Sequence, residues 1–576
     1  MKDSVTLFDR GRFSGAGQFI QFGTGSLGAK ANGLVRVSRV LSEEVATQFR
    51  PAIEIDIPRL GVIATDWFEQ FVKRNGLHAT VRGMDDDKRV AAAFRKAALP
   101  EELISDLRLF LAHFQCPLAV RSSSLLEDAI HEPLAGVYAT RFVPNNDADE
   151  ESRVAKLVSA IKQVYASALM AKARLLLQNL PHRAVDEKMA VIIQEVVGTQ
   201  HGHRFYPHIS GVARSFNFYP LGLSKPEDGM AQLALGLGKI IGEDGIGWSF
   251  SLSCPQASPP YGELSELVEQ SQREFWAIDL RSPVSEEASG EAEHLQKLSL
   301  SQAEEDGTLA FTASTYRAED DKVVMGIVGH DPRILDFGQI LRAGLLPLPE
   351  LLRECLDRCE EELGAMVEIE FAVTFPDPDP TPARFRFLQV RPMVATSDKI
   401  EVAAEDFESR DAVVASDSAL GNGKNESIRD IIYVRPQTFD PSRTREIVHE
   451  LETLNRTLKD ADIPYVLIGF GRWGSSDPSA GIPVNFGQVA GARVIVESTL
   501  PCIDFMPSQG SHFFHNITCS RVLYFSVRHG GAHQIDWAWL DQCPSAAETQ
   551  FLRHIRLPSK LTVKVDGRTN RGVILR

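Results

Sequence analysis

Cysteine is scarce in this chain: seven in 576 residues, an odd number with no C-x-x-C pair. That argues against a disulfide framework and against a structural zinc motif, which need paired cysteines at short fixed spacing. Cys355 and Cys359 stand one helical turn apart, but no His or second Cys pair lies near them in sequence, so helix packing is the preferred reading over metal ligation. Long apolar runs are missing too. No stretch approaches the ~20 residues of a membrane span, and the opening MKDSVTLFDRGRF lacks the apolar core of a signal peptide, so a cytoplasmic protein without a membrane partner is expected. Positive charge is in deficit, with 61 Lys and Arg against 77 Asp and Glu and a formal net charge of -16. Nucleic acid is held by clustered cations that release counterions, so it is not an expected partner. A P-loop, GxxxxGK[ST], is absent, as is a clean GxGxxG followed by a ribose-binding acid.

What is present is an ordinary globular composition, 43% hydrophobic and 24% charged, at a length that suits two to four domains. A glycine-rich stretch, GTGSLGAKANG (23–33), leads into apolar residues at helical spacing. Short strands and a helix capped by Thr65 or Asp66 follow, then a helix after Pro100, the strand PLAVRSS, a helix over 151–180 and the buried strand MAVIIQEVV. Further on, Pro347 and Pro349 separate two helices, and the strands VEIEFAVTF and RFRFLQVRPMV are joined by the turn-forming PDPDPTPA. The polar stretch 397–432 predicts a linker. A last α/β unit is expected over 433–576, with a helix near 441–459 and the strands PYVLIGF and ARVIVES. The fold class is therefore α/β (α+β) with a smaller C-terminal domain.

Four pieces carry candidate chemistry, each with a bland alternative. Glycines let backbone N–H groups approach phosphate, and Lys30 adds a full charge; an ordinary loop entering a helix has the same look. Arg121 closes an apolar strand, where its guanidinium can fork onto phosphate oxygens or pair with Glu127 or Asp128. Glu368 and Glu370 lie two apart on one strand and share a face, which suits a hard cation such as Mg2+ or merely a solvated edge. Gln389 and Arg391 also share a face, and line the same cleft as the glutamates if the two strands pair as a hairpin.

GSLGAKANGL, LAVRSSSLLEDA with LAGVYAT, MAVIIQEVVG with SGVARSFNFYP, ALGLGK, and EIEFAV with LQVRPMV occur in this order over residues 15–396. That series resembles the ATP-grasp nucleotide-binding region of the phosphoenolpyruvate synthase and pyruvate phosphate dikinase family. The resemblance implies a first ATP-grasp lobe over 1–190 and a second, with the metal-binding strands, over 191–396. It implies ATP and Mg2+ as cofactors, with Gly25, Gly28, Lys30, Arg121, Gln389 and Arg391 around the phosphates. Gln194, Glu195 and Val197 fall on the adenine pocket, and Glu368 and Glu370 on the metal pair, although the first of that pair is often Asp in the family. Lys30, Arg121 and Arg391 would offset the charge that develops as a phosphoryl group moves.

Neither the family's phosphohistidine domain motif nor its pyruvate-binding barrel is visible, and the residues after the linker are too few for a usual barrel. The best substitute for the histidine is PSQGSHFFHNITCS, where His512 is the first choice as phosphoryl acceptor and His515 the second; the alternative is that both are structural or hydrogen-bonded surface histidines. The loop GFGRWGSSDPSAG (469–481) is balanced between an anion site at Arg472 and a tight turn plugged by Trp473. The expectation is an ATP- and Mg2+-dependent phosphotransferase with an unidentified acceptor, which could be a separate acceptor or barrel-containing protein. Its rivals are an ATP-grasp ligase that forms an acyl phosphate, and a non-catalytic nucleotide sensor.

Overall fold

The computed structural model describes residues 5–15, 17–81, 84, 86–124, 138–170, 173–174, 188–217, 224–242, 247–257, 267–268, 271–281, 294–377, 379–393, 400–474, 481–484, 486–500, 522–531 and 535–576. The chain is α/β and forms two compact units. The first comprises Met1–Ser215, Gly229–Gln256 and Ser271–Ala395; the second comprises Phe216–Asp228, Ala257–Gln270 and Thr396–Arg576.

Two six-stranded sheets organise the first unit. One runs in the order β1 (Val5–Leu7), β2 (Phe19–Phe22), β4 (Leu60–Ile63), β7 (Met189–Glu195), β5 (Leu118–Ser124), β6 (Thr140–Val143). The other runs β10 (Trp248–Ser251), β9 (Met230–Ala234), β8 (Ile209–Arg214), β11 (Val367–Thr374), β12 (Ala383–Pro392), β3 (Ile53–Asp56). Alternation along the strands decides which side chains go where. Leu118 and Val120 of β5, with Met189, Val191 and Ile193 of β7, join a core with Phe68, Phe71, Phe110 and Tyr165 from helices α2 (Thr65–Arg74), α3 (Glu101–Leu111) and α4 (Glu150–Ser167). The opposite parity, Arg121 and Ser123 on β5 and Gln194 on β7, is thereby turned to the other face of that sheet.

Helix α1 (Gly28–Val40) links the two sheets. Its Ala31 N–H donates to Ser123 Oγ of β5 at 3.2 Å, while a Cβ at Gly33 would stand only 3.0 Å from the Val390 carbonyl oxygen of β12. Helix α5 (Leu348–Leu363) buries Leu351, Leu352, Cys355, Leu356 and Cys359 along one stripe, so both cysteines fill its apolar face, and burial pushes the Cys359 thiol up to about 12. Among the described residues no helix is long and apolar enough to cross a membrane, and no group of three or more His, Cys, Asp or Glu could hold a metal.

The second unit is built on a seven-stranded sheet. Its middle strands, Asp430–Val434, Tyr465–Phe470, Ala492–Ser498 and Leu523–Val527, are parallel neighbours in chain order. Helix α6 (Thr444–Asp460) packs Ile447, Leu451 and Leu458 against one face, where Ile432, Leu467 and Ile495 lie. A four-stranded sheet packs on the other face through Val413, Val563, Val565 and Ile574.

Two expectations change here. Residues 397–432 are not a bare linker: they hold a helix at Ala404–Glu408 and strands at Ala412–Ser416, Ala419–Leu420 and Gly423–Asn425 that join the second unit's sheets. Val413 and Val414 are buried there, which gives these short strands their anchorage. The boundary at 190/191 falls inside β7, a central strand, and Ile53–Asp56 pairs with β12 of the other sheet, so the chain crosses between the sheets more often than a single cut allows.

Candidate functional site

The hairpin on which the candidate cleft depended is present. Strands β11 and β12 pair antiparallel with Glu368 opposite Arg391 and Glu370 opposite Gln389, and a bulge follows Glu370. Strand β8 pairs on the other side of β11, with Arg214 opposite Glu368 and Val212 opposite Glu370. Opposed residues share a face, so Arg214, Glu368, Glu370, Gln389 and Arg391 form one polar patch on three adjacent strands.

Arg121 comes to this patch from the other sheet. Its Nη2 donates to Gln389 Oε1 at 2.6 Å and to Glu370 Oε2 at 3.0 Å. Beside that contact, Glu368 is buried and clamped from both sides: Arg214 Nε donates to Oε2 at 2.6 Å, and Arg391 Nε to Oε1 at 2.7 Å, with Arg391 Nη2 on the same oxygen. Burial alone would raise the pKa of Glu368, but the Arg214 and Arg391 guanidiniums beside it carry it below the ordinary glutamate value. The carboxylate is therefore ionised at neutral pH. Three guanidiniums face two carboxylates, an excess of one positive charge, in a setting suited to a polyanion.

Gln194 lies next to this group on the face shared with Arg121, and its Nε2 reaches the Leu388 carbonyl oxygen at 3.4 Å. Glu195 is tied elsewhere: Arg59 Nη2 and Nε donate to its Oε1 at 2.5 and 3.0 Å, and the half-buried Cys116 thiol, pushed up to about 12 chiefly by desolvation, sits 3.6 Å from the same oxygen. Val197, two residues past the end of β7, is half-buried.

The glycine stretch has a local logic of its own. Gly28 has φ +75°, and a Cβ on it would fall 1.7 Å from the Ser123 carbonyl oxygen; a Cβ on Gly25 would fall 2.6 Å from the Asp66 backbone nitrogen. These glycines allow close approach of the loop to β5 and α2. The loop's N–H groups are taken by protein atoms, Thr24 by Asp66 Oδ2 at 2.8 Å, Ser26 by Thr65 Oγ1 at 3.0 Å and Gly28 by Ser26 Oγ at 3.2 Å. Thr65 and Asp66, expected to cap α2, instead hold this loop, and Ala64 stands at the N-cap without a side-chain bond. Lys30 sits in the first turn of α1, one residue before the Ala31–Ser123 anchor.

Sequence reasoning missed Arg214. Its signal was the motif SGVARSF, in which Gly211, Ala213 and Ser215 alternate with Val212 and Arg214, but its partner is far away in sequence and only strand register brings the two together. His512, His515, Glu127 and Asp128 lie outside the described residues, as does 475–480 of the 469–481 loop. In the described part of that loop, Trp473 is buried, its N–H donates to Glu497 Oε1 at 2.8 Å, and its ring fills the space beside Gly469.

The family described as pyruvate phosphate dikinase, AMP/ATP-binding domain, matches residues 24–412, which contain every residue of the patch and all of the glycine stretch but Gly23. No curated protein matches the chain. With a match over more than half its length, the chain belongs to the pyruvate phosphate dikinase AMP/ATP-binding domain family.

Proposed function

We propose that the first unit binds ATP with an ATP-grasp geometry, and that the chain is an ATP-dependent phosphotransferase of dikinase type. The observation that carries this reading is the contact of Arg121, from one sheet, with Glu370 and Gln389 of the other. A polyphosphate entering there meets guanidinium donors from both sheets, and Lys30, Arg121 and Arg391 offset the charge that builds on the oxygens during transfer. Gln194, Glu195 and Val197 mark the adenine end; with its carboxylate held by Arg59, Glu195 contributes there through its backbone.

The donor set fits a hard cation only when phosphate is present. Glu368, Glu370 and the Gln389 amide oxygen are suitable oxygens, but guanidiniums already donate to both carboxylates and to the amide. Phosphate oxygens would draw Arg121 and Arg391 away, leaving Glu370 and Glu368 Oε1 to hold Mg2+ while Arg214 Nε keeps Glu368 Oε2. Bound with the nucleotide, Mg2+ would neutralise charge on the phosphate oxygens. Among acceptors, His512 is the nucleophile the sequence offers first.

Incubation with β- and γ-labelled ATP in parallel tests the reaction. Acid-labile label on the chain, lost in His512→Ala, is expected together with AMP or ADP. Full labelling of His512→Ala refutes the acceptor, ADP formed only when a carboxylate and an amine are added indicates the ligase, and saturable binding with no turnover indicates the sensor.

A further inference from the structure

Arg214 uses its guanidinium unevenly. Its Nε is fixed on Glu368 Oε2 at 2.6 Å, and among the described residues neither terminal nitrogen has a protein acceptor. The side chain is 35% exposed, although its partner Glu368 is only 8% exposed. An Nε pinned to a buried carboxylate fixes the plane of the guanidinium, and the two terminal nitrogens then present a preset pair of donors. That is a receptor for an oxyanion rather than a closed ion pair.

Its place in the patch says which oxyanion. The polar contacts form three neighbouring groups: Gln194 with Leu388, Arg121 with Gln389 and Glu370, and Glu368 with Arg391 and Arg214. Strand position orders them, since residues 388, 389 and 391 follow along β12, Glu370 and Glu368 follow along β11, and Arg214 stands opposite Glu368 on β8. A nucleotide whose base lies at the Gln194 end therefore extends its phosphates toward Arg214.

We propose that Arg214 is a specificity-determining residue that binds the terminal phosphate of a nucleoside triphosphate, so that the site favours ATP over ADP. This rests on the nucleotide reading above. The Arg214 terminal nitrogens donate to the γ-phosphate oxygens while Nε remains on Glu368, and ADP, ending one phosphate short, leaves those donors to water. No bond is made or broken in this step.

The test is calorimetric titration of the full chain with ATP, ADP and AMP, each with Mg2+, for wild type, Arg214→Gln and Arg214→Lys. Wild type is expected to prefer ATP to ADP by about tenfold or more, the scale of a charge-assisted hydrogen bond. Arg214→Gln is expected to lose most of that ratio while its ADP affinity stays near wild type, and Arg214→Lys to recover part of it. A purely structural role of Arg214 would weaken all three nucleotides alike and leave the ratio intact, which overturns the inference. Equal wild-type affinity for ATP and ADP also overturns it. If wild type binds no nucleotide at all, the nucleotide reading itself falls and this inference with it. Should Arg214→Gln fail to fold, the ratio measured in Arg214→Lys decides: an unchanged preference for ATP counts against the role, a reduced one supports it.

Discussion

Replacing Glu368 by Gln removes one negative charge from between two guanidiniums and keeps nearly the same volume. The carboxylate is 8% exposed and accepts from Arg214 Nε and Arg391 Nε at 2.6 and 2.7 Å, so the substitution weakens two charge-assisted bonds and leaves two positive groups facing each other. Breaking a buried ion pair costs about 3–5 kcal/mol. Arg214 and Arg391 are 35% and 27% exposed and can regain water, which reduces the expected loss to about 2–3 kcal/mol. For a unit of roughly 370 residues the entropy of unfolding is about 0.8 kcal/mol/K, so the first unit's Tm should fall by about 3 °C at pH 7. Because Arg214 and Arg391 hold the folded pKa of Glu368 below its unfolded value, the stabilisation is complete above that unfolded value, about 4.3, and is lost as the pH falls through the folded one. Scanning calorimetry from pH 7 to pH 3 should therefore show a constant gap between wild type and Glu368→Gln down to about pH 5, narrowing below about pH 4. A Glu368→Gln chain that melts at or above wild type at pH 7, or a gap that does not narrow in acid, would refute this reasoning.

Two further substitutions probe the packing of the first unit. Gly28→Ala combines φ +75° with a Cβ 1.7 Å from the Ser123 carbonyl oxygen, so the start of α1 must move off β5; a stability loss of about 3 kcal/mol or more is expected in urea unfolding, and a wild-type midpoint would contradict it. His208 is held down to about 4, first by burial and then by His201, and its neutral Nδ1 accepts the Phe375 N–H at 3.3 Å. An unfolded histidine titrates near about 6.5, so this group's contribution is complete above that pH and is lost toward pH 4, by about 2–3 kcal/mol; His208→Gln should flatten the stability profile in that window, and an unaltered profile would exclude His208 as its source.

Period-two alternation made half of the polar patch legible from the sequence. Glu368 with Glu370, and Gln389 with Arg391, had to share faces whichever partners their strands found, and the short PDPDPTPA turn made those two strands each other's natural neighbours. Arg121 was legible as a charge ending an apolar strand, but its partners were not: Glu127 and Asp128 were the near candidates, while the contacts within the described residues are to Glu370 and Gln389 of the other sheet. Arg214 escaped because register between non-adjacent strands is set by packing that no local pattern reports. The glycine loop was readable as special backbone, yet its close approach is to Ser123 and Asp66, because Thr65 and Asp66 turned from capping duty to hold it. The stretch 397–432 looked like a linker because its strands are two to five residues long and alternate with exposed polar residues, too short for a periodic signal.

The central claim, that Arg121 and the Glu370–Gln389 pair clasp the phosphates of ATP, is tested most directly by titrating ATP with Mg2+ into the full chain and into Arg121→Ala. Saturable binding by wild type, weakened about tenfold to a hundredfold in a folded Arg121→Ala chain, is the result expected from the loss of one guanidinium that forks onto phosphate. Equal affinity of the two chains for ATP would contradict it.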